Sequence, residues 1–502
     1  MKKILKATAS VLALSMVLGA LSGCGEKADT TKVTMVTIKD YYTTALQEVA
    51  QEYNQQHPGT TVEVQVIGSN DAYSQNFITK ISADKKTAPD IIHTNLIKGN
   101  SEGDMISKNW LLPLDELLDE ENPYNEGKTV REGFTDEYYL SRAVSTVGKV
   151  GYLPFDHVGV GFFYNKSIFD KVGVEAPTTY EELDAVLTKL EEAGYQDPLG
   201  STAHLTYIAN SISDWGFRKI EPQFLTLPGD AAYDENTMAQ NLNIQYSADD
   251  LSFDSNAIFN TEKILAYVNE NGVDSEVTKK TWETTKTILK HCSAGWNNPD
   301  DGQTYNQFIA QKVPVFISGS WNVGSLVKDI SMLSDDKKFE WGTFQFPGFG
   351  DNDPNFEGEP RGVLIAGHKL GITNKDDEKQ AEAAKDFLKY LYSPEVASKV
   401  YSITIEKGEL IQGPSLIKGV ELSDELKSYL DGFEAKGAIS GALTTLIGMV
   451  KAGDEAKMNA LKYDYVEGNI TYDEFIKQVN ELTKAYIEDM KKTNNYDLNP
   501  AT

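Results

Sequence analysis

The chain has 502 residues and a mass of 55.5 kDa, more than one compact core usually carries, so two globular domains are expected. Hydrophobic residues make up 40% of the chain and charged residues 24%, a balance that supports a large buried core and differs from that of disordered chains. Because 47 Lys and Arg face 75 Asp and Glu, the formal net charge is −28, and this acidic surface excludes nucleic acid as a partner.

The N-terminal segment has the pattern of a secretory signal peptide. A basic start is followed by an apolar run over residues 11–21 that is too short to span a bilayer. Small residues then precede Cys24, a pattern that resembles the lipobox of bacterial lipoproteins, in which the cysteine becomes the lipidated first residue. We therefore expect a signal peptide over residues 1–23, a lipid on Cys24 and a polar linker over residues 24–31. The alternative is a plain signal peptide with an incidental cysteine.

The next segments predict a βαβ unit. Residues 33–38 are β-branched and alternating, and an apolar stripe follows at Leu46, Val49, Ala50 and Tyr53 with helical spacing. A second alternating strand is predicted at residues 61–67, parallel to the first. A short apolar strand is predicted at Ile91 and Ile92.

The α/β pattern continues to the C-terminus. A strand is predicted over residues 158–164, and a capping box at residues 177–182 begins a helix with an apolar stripe. Further segments predict a strand at residues 313–317, a helix around residues 384–391 and a C-terminal helix around residues 475–486.

Several common chemistries lack sequence support. The segment around Gly127-Lys128-Thr129 has Asn122 where a phosphate-binding loop needs glycine, and six scattered histidines show no ligand spacing. Asp351-Asn352-Asp353 is interpreted as a solvated turn rather than a calcium loop. The sequence therefore predicts no metal and no cofactor. Adjacent carboxylates occur, but 75 acidic residues make such pairs expected by chance.

A long ordered set of segments resembles the extracellular solute-binding proteins of carbohydrate ABC importers. The segments cover nearly the whole mature chain: residues 88–92, 112–117, 152–154, 161–166, 169–174, 177–183, 308–312, 318–321, 346–347, 384–391 and 393–395. The resemblance implies an α/β, two-lobed periplasmic-binding-protein-like fold of type II, in which each lobe is a mixed β-sheet flanked by helices and the ligand cleft lies at the hinge. Lobe 1 is expected at residues 32–155 plus 345–412, and lobe 2 at 156–344 plus 413–502.

Residues after strand ends are the candidate site in the first lobe. Asp40, Tyr41 and Tyr42 follow the first strand, and Thr94 and Asn95 follow the strand at Ile91 and Ile92. Open α/β sheets bind ligands at the carboxyl ends of their strands. In maltose-binding members of the family, the loop after the first strand contacts sugar, which assigns Asp40 and Tyr41 to contact positions. The alternative is that Tyr41 and Tyr42 cover the following helix.

In the second lobe, Trp321 matches the sugar-stacking tryptophan of the family in position and neighbours, and Asn322 follows it. A buried core tryptophan is the competing interpretation. His204 and Trp215 are placed in the cleft by approximate alignment, whereas Trp282 and Trp296 are expected in the core. The family's additional aromatic residue near the C-terminal helices has no counterpart in residues 441–445, so the ligand need not be maltose.

The predicted function is that of a lipid-anchored binding component of an ABC importer, not an enzyme. Its expected partners are a mono- or oligosaccharide, the permease subunits and the membrane through Cys24, and the protein is expected to be a monomer on the extracellular or periplasmic face. One alternative is an extracellular glycosidase or polysaccharide lyase using a carboxylate pair. Another keeps the fold but binds a glycerol phosphate ester or a peptide, with Arg361 as the cation for a phosphate.

Overall fold

The computed structural model describes residues 30–135, 145, 147–230, 259–350, 352–434 and 439–498. The predicted signal peptide and Cys24 lie outside these residues. The strands are β1 (Thr31–Ile38), β2 (Thr60–Ile67), β3 (Ile91–His93), β4 (Leu153–Pro154), β5 (His157–Asn165), β6 (Leu199–Gly200), β7 (Val315–Gly319), β8 (Trp341–Phe344), β9 (Val363–Ala366) and β10 (Lys369–Ile372).

Helices separate and cover these strands. In chain order they are α1 (Thr43–Gln56), α2 (Asn70–Ala83), α3 (Glu102–Ser107), α4 (Asp115–Asp119), α5 (Lys166–Val172), α6 (Tyr180–Glu192), α7 (Thr206–Gly216), α8 (Thr261–Asn271), α9 (Glu276–Leu289), α10 (Asp301–Ile309), α11 (Asn322–Ser331), α12 (Glu378–Leu391), α13 (Pro394–Glu406), α14 (Asp424–Leu430), α15 (Glu455–Val466) and α16 (Tyr472–Asn494). Throughout the described ranges, no helix has the length and apolar character that crossing a bilayer requires.

The strands form two sheets, which confirms the α/β prediction. The first has the order β2-β1-β3-β10-β4. In it β1 lies parallel to β2, as the βαβ pattern predicts, and also parallel to β3. The second has the order β6-β7-β5-β8, and β9 pairs with the first half of β5. The lobe boundaries expected from the sequence assign residues 345–412 to lobe 1. Within that range, β9 pairs with β5 and so belongs to the second sheet.

Local sequence explains most of the elements. The capping box at Thr179 and Glu182 begins α6 as predicted, because each side chain accepts from the backbone N–H of the other residue. The apolar stripe of α1 is buried, as its spacing predicts. Trp282 and Trp296 are buried in the second lobe, which confirms their expected core positions.

Both sheets are covered on two faces. Along β1, Val33 and Met35 pack into one apolar cluster, whereas Val36 packs into another on the opposite face. Along β5, Phe162 and Phe163 likewise face different clusters. The cluster that contains Met35 also contains Phe163, so one apolar core runs from the first sheet to the second.

Candidate functional site

The carboxyl ends of parallel strands bring the predicted residues together in two groups. In the first sheet β1 and β3 are parallel, so Asp40 and Tyr41 leave the same edge as Thr94 and Asn95. In the second sheet β6 and β7 are parallel, so His204 leaves the same edge as Trp321. Each group is therefore set by strand direction and not by closeness in sequence.

Both edges meet the segments that join the two sheets. The chain passes from the first sheet to the second between β4 and β5, and returns between β9 and β10. In the first crossing, the Asp156 carbonyl accepts from the Gly367 N–H of the second crossing at 2.8 Å. Its side chain accepts from the His368 N–H at 2.7 Å and from the Tyr42 hydroxyl at 2.6 Å. Asp156 thus ties both crossings to the loop after β1.

A third segment, residues 410–413, contacts both groups. The Leu410 N–H donates to the Asp40 carbonyl at 2.7 Å, which fixes the loop after β1. The Ser320 hydroxyl, in the loop after β7, donates to the Gln412 carbonyl. The two strand-end loops therefore border one junction and are connected through four consecutive residues.

The loop after β1 has an unusual backbone. Asp40 has φ of 75° and Tyr42 has φ of 51°, so two non-glycine residues adopt the left-handed region on either side of Tyr41. Such conformations cost of order 1–3 kcal/mol each and cluster at functional sites. Here the contacts to Leu410 and Asp156 hold them in place. In this loop Tyr41 is half-buried, and the centroid of its ring lies 6.0 Å from that of the His368 ring.

The loop after β7 presents an aromatic pair. The Trp321 ring is partly exposed, and the His204 ring meets it edge-on with 5.5 Å between ring centroids. The next side chain, Asn322, donates to the Ser318 hydroxyl at 2.7 Å. An indole with an accessible surface beside two polar side chains can bind a molecule that has both apolar and hydroxyl-bearing surfaces.

Burial shifts the pKa values of two titratable groups of the site, His204 and Tyr41, towards their uncharged forms. It lowers the pKa of His204, against the opposing effect of the nearby Asp301 carboxylate. It also raises the pKa of Tyr41, and the charges of Asp156 and Asp40 raise it further. Within the described ranges no cluster of three or more His, Cys, Asp or Glu side chains is suited to a metal ion.

Four of the predicted site residues are buried instead: Tyr42, Thr94, Trp215 and Arg361. Tyr42 is fully buried, and its hydroxyl is bonded to Asp156, so it fixes the loop and does not present a surface. Trp215 is 2% exposed, stacks on Phe349 and donates from Nε1 to the Glu357 carbonyl at 2.8 Å. A sugar platform needs an accessible ring face, which Trp215 lacks.

Arg361 is also buried and paired within the protein. Its side chain has no exposed surface and forms ion pairs with Asp214, at 2.9 Å, and with Glu221. The alternative of a phosphate ester ligand needs the Arg361 guanidinium to bind the phosphate, but this group is already paired with two carboxylates. Its role is to hold residues 353–361 against α7, where the Ser211 hydroxyl also donates to the Arg361 carbonyl at 2.7 Å.

Thr94 and Asn95 differ from each other. Thr94 is buried, and its hydroxyl donates to the Glu102 carboxylate at 2.8 Å, so it supports the loop. Asn95, in the helical turn that follows β3, is exposed. The exposed members of the predicted set at the two edges are thus Asp40 and Asn95, and the half-buried members are Tyr41, His204, Trp321 and Asn322.

Sequence reasoning missed the residues that hold the site together. Asp156 and His368 lie in the crossings, where no local motif signals their role. Asp301 accepts from the Ala203 N–H at 2.8 Å and lies 3.6 Å from His204, although it is nearly 100 residues away in the chain. No local pattern in the sequence signals these contacts, because each joins residues that are far apart in the chain.

Known proteins share this architecture. The chain matches the family model of bacterial extracellular solute-binding proteins over residues 39–398. No curated protein sequence matches it. Among solved structures, the apo form of RafE from Streptococcus pneumoniae has a TM-score of 0.57 at 18% identity, with 91% of this chain and 98% of that chain covered.

Two further solved structures are similar to this chain over nearly its whole length. MalE from the phytopathogen Xanthomonas citri has a TM-score of 0.54 at 15% identity, with 93% of this chain and 100% of that chain covered. A chitin oligosaccharide binding protein has a TM-score of 0.53 at 16% identity, with coverage of 92% and 100%. These matches confirm the two-lobed fold. The family consists of binding proteins, so the enzyme alternative loses its support. The chain belongs to the bacterial extracellular solute-binding proteins.

Proposed function

We propose that the protein is the lipid-anchored binding component of an ABC importer and that it binds a sugar or oligosaccharide between its two lobes for delivery to the permease. The observation that carries this proposal is the Trp321 and His204 pair at the carboxyl ends of β7 and β6. It borders the same junction as Asp40 and Tyr41, which follow β1 in the other sheet.

The chemistry of this pair suits a sugar. A pyranose has flat apolar faces and a rim of hydroxyl groups, so its site combines an aromatic surface with amide, carboxylate and imidazole groups. Trp321 supplies the aromatic surface, while Asn322, His204 and Asp40 supply the polar groups. RafE is also solved in complex with raffinose, and other similar structures are named for maltose and chitin oligosaccharides.

The charges near the site favour a neutral ligand over a phosphate ester. Asp40 and Asp301 carry negative charge beside the candidate contacts, and Glu409 occupies the N-terminus of α1 by accepting from the Thr44 N–H at 2.9 Å. A helix N-terminus of this kind binds anions when it is free. Arg361 is already paired with two carboxylates, so its charge is compensated within the protein.

We place the hinge at the two crossings, residues 155–157 and 366–369, and at residues 410–413, which contact both strand-end loops. Ligand that contacts both lobes stabilises the closed arrangement by its differential affinity. In this division β9 belongs with lobe 2. X-ray scattering with and without sugar tests closure, because the radius of gyration should fall at saturating ligand, and an unchanged value contradicts hinge closure.

The anchor is tested separately. Cleavage between Gly23 and Cys24 followed by lipidation leaves a mature chain that starts at a modified cysteine. Mass analysis of membrane-extracted protein should find this species. A retained Met1 or an unmodified Cys24 contradicts the anchor without touching the sugar site.

The ligand class is tested by thermal unfolding against a panel. A ligand bound only by the folded state raises the unfolding temperature in proportion to the logarithm of its concentration. We expect stabilisation by at least one sugar among raffinose, maltose and chitin oligosaccharides, and none by glycerol phosphate esters or peptides. Stabilisation by a phosphate ester or a peptide alone contradicts the proposal.

A further inference from the structure

The Trp321 ring lies directly over the end of β7. Gly319 is the last residue of that strand, two positions before Trp321. A β-carbon built on Gly319 would overlap three carbons of the indole six-membered ring, Cε3, Cζ3 and Cη2. The ring therefore fills the space that the side chain of any other residue would need at position 319.

The rest of the surroundings restricts where the ring can go. Trp321 has helical backbone angles, φ −59° and ψ −21°, at the start of α11, so its main chain is fixed by the helix. The His204 ring contacts the indole at 5.5 Å between centroids and 61° between planes, and Asp301 holds the His204 loop through the Ala203 N–H. A ring displaced from Gly319 would have to adopt another staggered rotamer and would lose the contact with His204.

We infer that Gly319 is a positioning residue for sugar binding: its missing side chain lets the Trp321 indole lie flat against the end of β7, in the orientation that meets the ligand. This inference rests on the proposed function, in which Trp321 contacts the sugar. Strand pairing does not require glycine, since Gly319 pairs with Val160 in an ordinary antiparallel register that alanine can also adopt. The three atoms nearest to an added β-carbon all belong to the indole ring.

A double-mutant cycle tests this coupling. The variants are Gly319→Ala, Trp321→Ala and the double variant, titrated with whichever of raffinose, maltose or a chitin oligosaccharide binds the wild type most tightly. Gly319→Ala should weaken binding by about tenfold or more, because a ring moved by an ångström loses its dispersion contacts. In the Trp321→Ala background the same change should leave affinity unaltered.

Thermal unfolding without ligand gives a second readout. Gly319→Ala should lower the unfolding midpoint in the wild-type background and not in the Trp321→Ala background, where the overlapping ring is gone. If Gly319→Ala folds poorly because its β-carbon overlaps the Trp321 ring, the double variant, which lacks this ring, should fold normally. Gly68→Ala is the matched control, since Gly68 follows β2 with nothing within 4 Å of an added β-carbon, and it should alter neither quantity.

The outcomes separate this inference from the proposed function. Wild-type affinity in Gly319→Ala, or an equal loss in both backgrounds, overturns the positioning role while the sugar site stands. Wild-type affinity in Trp321→Ala overturns the platform itself. If no sugar binds, the proposed function fails, and the unfolding cycle alone still decides whether the ring requires glycine at position 319.

Discussion

The loop after β7 and the cluster around α7 use similar residues in opposite ways. We call the second region the Arg361 cluster: Asp214, Trp215, Arg218, Glu221 and Arg361. In this cluster Trp215 is buried and donates to a backbone carbonyl. Arg218 also donates to a backbone carbonyl, and Arg361 forms an ion pair with Asp214. In the loop after β7, a tryptophan is half-buried and lies against a glycine, and an imidazole ring is tilted against it.

The difference shows that the position of a tryptophan relative to the sheet, and not its residue type, decides whether it is available to a ligand or packs in the core. Trp215 lies inside a helix that faces the apolar core of the second lobe. Trp321 lies just beyond the carboxyl end of a strand, the place where open α/β sheets bind ligands. Both were candidates from sequence, and only the second retains an accessible surface.

Removing Arg361 should have the largest effect on stability. Arg361→Met leaves Asp214 and Glu221 buried without a counter-ion, which costs about 3–5 kcal/mol in such pairs. Denaturant unfolding measures the loss. The control is Arg131→Met, whose exposed pair with Asp119 is worth about 0–1 kcal/mol. If the two variants were equally stable, the Arg361 cluster would not be a structural element.

The same cluster should make stability depend on pH. Burial raises the pKa of Asp214 to about 7, and nearby Glu221 raises it while Arg361 opposes the shift. Since an unfolded Asp releases its proton near pH 4, the folded chain holds the proton longer, and stability is lost as pH rises from about 4 to about 7.

Thermal unfolding at pH 5 and pH 8 tests this dependence in the wild type and in Asp214→Asn, which mimics the protonated form. The drop in midpoint from pH 5 to pH 8 should be larger in the wild type than in the variant. An identical pH dependence in both proteins would show that Asp214 is ionised throughout.

Asp40→Gly should have the smallest effect on stability and a clear effect on binding. Because Asp40 has φ of 75°, glycine fits its backbone without strain, so the change removes only the carboxylate. We expect affinity to fall several-fold with an unfolding midpoint equal to or above that of the wild type. Asn109→Gly, also at positive φ and exposed, is the control and should bind normally. Wild-type affinity in Asp40→Gly would remove Asp40 from the site.

Much of the fold could be predicted because its signals are local. The βαβ start, the capping box at Thr179 and the stripe of α1 each depend on a few neighbouring residues, and the structure confirms them. The burial of Arg361 could not be predicted, since its partners Asp214 and Glu221 lie 147 and 140 residues away. The same holds for Asp301 beside His204, because only the packing of α10 brings them together.

Comparing two tryptophan variants by titration and unfolding tests the central claim most directly. Trp321→Ala should weaken sugar binding strongly and leave the denaturation midpoint nearly unchanged. Trp215→Ala should cost about 3–5 kcal/mol of stability and keep its affinity in the folded fraction. If Trp321→Ala instead lost stability and kept wild-type affinity, Trp321 would be a core residue and the account of the site would be contradicted.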